Sequence, residues 1–124
     1  MYKNLNLNPK NKKTSDCVIR SFSLVSGKSW DQTLKDLCEI ALQLKVVPND
    51  KEAYTKYADN LGFKKCKVEV LNSHRPTVNN FAITHPEGLY ILRCANHLVT
   101  VKHGDYCDIW DCGSKSVYMY WDCN

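Results

Sequence analysis

The sequence predicts an α+β domain, with helices first and a sheet after them, on three observations. Apolar residues at helical spacing, bracketed by capping residues, run from Asp16 to Gly62. From Gly88 onward the runs LYILRC, HLVTVK, YCDIWD and SVYMYW are β-rich and separated by short turn motifs. A chain of 124 residues is long enough to close one core without disulfide or metal staples. The expectation is a single domain over residues 1–124, its N-terminal helices packed against one face of a C-terminal antiparallel sheet.

The first helix begins near Cys17, with Ser15 or Asp16 as cap, carries Val18, Ile19, Phe22, Leu24 and Val25, and stops at Gly27. Ser29 with Gln32 reads as a capping box for a second helix through Leu34, Leu37, Cys38, Ala41 and Leu44, ended by Pro48. Asn49 with Glu52 repeats that logic for a third helix ended by Gly62. The alternation in KCKVEVL, Lys65 to Leu71, suits a strand, and Thr77 to Ile83 a short helix before His85-Pro86. The four β-rich runs that follow read as an antiparallel meander.

The net charge of +4 comes from basic residues spread along the chain, which is weak evidence for nucleic acid. The opening MYKNLNLNPKNKKTSD leads into no apolar stretch of the signal-peptide kind, and no later segment approaches a membrane span. Seven cysteines, an odd number without a regular framework, fit free thiols in a reducing compartment. These features predict a cytoplasmic protein with no membrane partner.

A thiol attacks as thiolate, and the unpaired N–H groups at a helix N-terminus stabilise that anion. Cys17 stands at such a position, where the same groups can serve an oxyanion. Among four histidines, His97 alone lies within a strand-like run that would hold its ring, and the next run offers Asp108 and Asp111 as the acid that orients it. If His103-Gly104-Asp105 is a three-residue loop, Lys102 pairs with Tyr106. His97 then lies opposite Asp111, while Asp108 faces away. A two-residue loop shifts the register by one and turns Asp111 to the wrong face. Asp111, standing before Cys-Gly, also suits a purely local bond to the N–H groups of the next turn.

Asp16-Cys17 ahead of an apolar helix, Asn96-His97-Leu98-Val99-Thr100-Val101, and Asp108-Ile109-Trp110-Asp111 occur in an order that resembles the papain-like cysteine peptidase superfamily. More closely, NPKNKKTSDCVIRSFSLVSGKSW with HPEGLYIL, NHLVTV and DIWDCGSKSVYMYW looks like small proteins encoded by bacteriophages and prophages, over nearly the whole chain. The resemblance implies a papain-like fold, a phage or prophage origin and residence in the host cytoplasm, without supplying a substrate. It implies Cys17 as nucleophile, His97 as base, Asp111 as acid and an amide side chain before the nucleophile for the oxyanion. That amide is here Asn11, shorter than the family's glutamine. A separate prosegment or substrate domain is missing from the pattern, so the substrate, a protein or peptide, would meet a small or open site.

Other readings carry less of the sequence. If Ala95-Asn96 is a two-residue turn, Cys94 lies opposite His97. The register above points Cys112 away and leaves Cys107 roughly 13 Å distant. Two ligands are too few for zinc, so no metal and no cofactor is expected. Trp110, Tyr118, Tyr120 and Trp121 read as strand packing rather than a stacking platform. With Lys3, Lys10, Lys12 and Lys13 they form only a weak case for nucleic acid. The second functional reading is a papain-like binding module of phage origin, without turnover, acting on a host or phage protein.

Overall fold

Gly27, at φ 74°, ends α1 (Cys17–Ser26) in the left-handed conformation that glycine adopts without steric cost. The computed structural model describes residues 1–124. Ser29 caps α2 (Trp30–Leu44) by accepting from the Gln32 N–H, while the Gln32 side chain turns to Asp36 and leaves the box one-sided. The cap of α3 (Lys51–Asn60) is Asp50, not Asn49: its carboxylate accepts from the Glu52 N–H. Thr77 and Asn80 close a reciprocal capping box on α4 (Val78–Thr84).

Six strands form one sheet: β1 (Tyr2–Asn4), β2 (Lys64–Lys67), β3 (Leu89–Cys94), β4 (His97–Lys102), β5 (Asp105–Asp108) and β6 (Met119–Asp122). Their spatial order is β1-β5-β4-β3-β6-β2. The protein is thus α+β, and its sheet departs from the expected antiparallel meander in two ways. The basic opening supplies β1, which pairs parallel to β5 and occupies its free edge. Unable to pair there, the chain leaves β5, passes alongside the start of α4 through Gly113 O to Asn79 N and Lys115 O to Val78 N, and returns as β6 beside β3.

Strand alternation sends residues to two cores. Ile91, Leu98, Met119 and Trp121 face α1, α2 and α3, packing with Phe22, Leu37 and Tyr57. Leu92, Val99 and Val101 face the other way, onto Val78, Phe81 and Val117. Helices therefore cover both faces, α4 lying opposite the first three, whereas a single helical layer was expected. Leu37 and Phe22 are fully buried, so truncating either to alanine costs about 2–5 kcal/mol. No helix is long and apolar enough to cross a membrane.

Candidate active site

Cys17 opens α1, and its neighbour Asp16 is the N-cap residue without using its side chain as a cap. The carboxylate instead accepts from Arg20 Nε at 2.8 Å, Trp30 Nε1 at 3.0 Å and Asn8 Nδ2 at 3.2 Å. The first backbone bond into the helix runs from the Arg20 N–H to the Asp16 carbonyl, and the Cys17, Val18 and Ile19 N–H groups have no backbone acceptor. A positive helix end is therefore left open beside the thiol.

His97 begins β4 directly opposite Cys94, across an Ala95-Asn96 turn in which Asn96 takes φ 52°. The turn after β4 has two residues, His103 at φ 50° and Gly104 at φ 82°, the tight hairpin in which both central residues have positive φ. Lys102 therefore pairs with Asp105, and Thr100 with Cys107. This corrects the three-residue loop taken from the sequence, and with it the aspartate that reaches His97. One step beyond Thr100 and Cys107, Asp108 comes level with Val99, on the parity of His97 and two residues along, within diagonal reach. His97 Nε2 meets Asp108 Oδ2 at 2.5 Å.

Asp111 lies past the end of β5. One of its carboxylate oxygens accepts from the Tyr106 hydroxyl at 2.7 Å and from the Gly113 N–H at 3.0 Å, fixing the turn into Cys112-Gly113. Its role in this arrangement is the local one. Asn11 is exposed at φ 53°, in a turn closed by its N–H on the Asn8 carbonyl, and does not line the cleft around Cys17.

Asp108 is almost wholly buried, its other oxygen accepting from Arg20 Nη1 at 2.9 Å and from the Ile109 N–H at 2.8 Å. Arg20 thus bridges two carboxylates, and a continuous chain runs Asp16, Arg20, Asp108, His97, Cys17. Burial opposes charge on His97, but hydrogen bonds to Asp108 and Cys17 outweigh it and push the imidazole up to about 9. Burial likewise opposes the Cys17 thiolate. Hydrogen bonds to His97 and to the Leu98 backbone, with the charges of His97 and Arg20, bring the thiol below its usual range. Burial drives Cys94, Cys107, Cys112 and Cys123 upward instead. With Asp108 on Nε2, Nδ1 is the ring nitrogen left for the sulfur, and each of the two groups favours the charged form of the other.

The Cys112 thiol, which the sequence-derived register pointed away, lies with the His97 and Asp108 ligand atoms in a cluster no wider than 4.8 Å. Burial and the charge of Asp108 keep Cys112 protonated, and Asp108 already receives three hydrogen bonds. Such a donor set fits a hydrogen-bonded acid better than a zinc ligand set.

The cleft over Cys17 has a volume of about 540 Å³ and is walled by Tyr54, Arg93, Asn96, Ile109 and Trp110. Trp110 is 44% exposed, its ring centre 5.2 Å from that of His97, so it screens the imidazole rather than packing in a core. Tyr118 is also exposed, and of the four aromatics only Trp121 is fully enclosed. Sequence reasoning missed Arg20, Asp16 and Trp110. An acid and a base at i and i+4, Asp16 and Arg20, were the available signal for the first two.

The fold and site together define an α+β protein with a thiol and an imidazole on one cleft and a buried carboxylate bound to the imidazole. Comparison with family models, with curated proteins and with solved structures finds no match to this chain.

Proposed function

We propose that this protein is a papain-like thiol hydrolase that cleaves a peptide, isopeptide or side-chain amide bond in a protein or peptide substrate. The observation that carries the reading is that Cys17, at the open head of α1, shares one cleft with His97, whose Nε2 is held by the buried Asp108. The thiolate attacks the carbonyl carbon, a C–S bond forms, and the oxyanion is met by the free N–H groups at the start of α1. His97 protonates the leaving amine as the C–N bond breaks. Water, deprotonated by His97, then attacks the thioester, releasing the acid and restoring the thiol. Asp108 replaces Asp111 as orienting acid, and Asn11 is left without a part.

The resemblance to phage and prophage proteins supports action in the bacterial cytoplasm. A second reading, a binding module without turnover, draws support from the position of Asn11, which leaves the oxyanion with no side-chain amide from that residue. Alkylation with iodoacetamide at neutral pH tests the first reading. The expected result is labelling of Cys17 well ahead of the other six cysteines, lost in His97→Ala. Labelling of Cys17 no faster than the rest favours the binding module.

A further inference from the structure

Fifteen residues line the cleft over Cys17, and none of them is an aspartate or glutamate. Three carry a guanidinium or ammonium group. Arg20 is neutralised by Asp16 and Asp108, but Arg93 and Lys51 make no ion pair. Lys51 is exposed at the first position of α3. Arg93, half-buried on β3, has its Nε enclosed without a hydrogen-bond acceptor, and its guanidinium carbon is 5.9 Å from the Tyr118 ring centre. Its two terminal nitrogens make no hydrogen bond and are not sealed off, so they can donate to an acceptor in the cleft, most strongly to an anionic one. Tyr54, Arg93 and Cys17 line the same cleft.

Resting on the hydrolase reading, we infer that Arg93 and Lys51 form a carboxylate-binding subsite, so that the preferred substrate carries a carboxylate beside the bond that Cys17 attacks. An acidic side chain and a free α-carboxyl group present the same chemistry. The planar fork of Arg93 suits either, with Lys51 adding a second positive charge at the mouth. The proposal predicts selectivity among acyl donors, and the reaction steps are unchanged.

Three electrophiles of equal size separate the possibilities: N-chloroacetyl-glutamine amide, which is neutral, N-chloroacetyl-glutamine, with a free α-carboxylate, and N-chloroacetyl-glutamate α-amide, with a side-chain carboxylate. Alkylation of Cys17 is followed by intact-protein mass and peptide mapping, and each rate constant is divided by that of the neutral probe in the same protein. At least one anionic probe is expected to react about tenfold faster than the neutral one, and which one identifies the source of the carboxylate. That ratio falls to about one in Arg93→Gln, is reduced in the surface variant Lys51→Gln, which leaves the core untouched, and shrinks with added salt. Equal rates for all three probes with Cys17 still selectively labelled overturn the subsite and leave the hydrolase reading standing. So does a preference that survives in both variants. Failure of every probe to favour Cys17 over the other cysteines overturns both.

Discussion

Arg20 and Asp108 meet at 2.9 Å across a separation of 88 residues, which ties the acid that holds His97 to the helix that carries Cys17. The guanidinium sets the distance between the two halves of the site, because its other edge is bound to Asp16, one residue before Cys17. Replacing Arg20 by methionine leaves two buried carboxylates facing each other. The expected loss is about 3–5 kcal/mol, read as a fall in the urea midpoint. Arg20→Lys recovers part of the stability without the fork that serves both carboxylates.

The two aspartates separate cleanly. Asp108→Asn is expected to slow selective alkylation of Cys17 by about 100-fold or more, since an amide holds the wrong tautomer of His97 and cannot balance its charge. Asp111→Asn, which touches only Tyr106 and Gly113, is expected to change that rate less than about threefold. Comparable losses in both variants would contradict the Asp108 assignment.

The partners of His97 also fix a dependence on pH. The His97 imidazole is raised to about 9 from an ordinary 6.5, so the folded state binds its proton more tightly than the unfolded chain. The stabilisation is complete below about 6.5 and is lost as pH rises through about 9. The stability advantage of wild type over His97→Gln should therefore narrow across that window in urea titrations. Cys17 moves oppositely: thiolate absorbance should persist below the ordinary thiol range in wild type and retreat upward in His97→Ala.

Gly113 has a steric reason to be glycine. A Cβ there would stand 2.4 Å from the Tyr106 hydroxyl oxygen and 3.0 Å from Asp111 Oδ1. Gly113→Ala is expected to cost about 1–3 kcal/mol in thermal or urea unfolding, chiefly by breaking the Tyr106–Asp111 bond.

Much of this arrangement was legible along the chain, wherever local chemistry decides the outcome. Gly27, Ser29 and Thr77 mark helix ends because caps act within one turn, and the order of Cys17, His97 and a downstream aspartate is a matter of sequence alone. The choice of aspartate was not, because it rests on the count of residues in one turn: Gly104 suits a two-residue and a three-residue loop alike, and His103 is not a residue that favours a positive φ. The edge strand β1 was hidden for a related reason. Three residues pairing with a partner more than 100 positions away leave no periodicity to read.

The chain from Asp16 through Arg20, Asp108 and His97 to Cys17 has a further consequence for moving a proton between its last two members. Moving the thiol proton to the imidazole leaves the total formal charge of the five groups unchanged. Charge is transferred within an enclosed array whose donors, Trp30 Nε1, Asn8 Nδ2 and the Ile109 N–H, are already oriented. Forming the ion pair therefore requires little dipolar reorganisation of the surrounding protein.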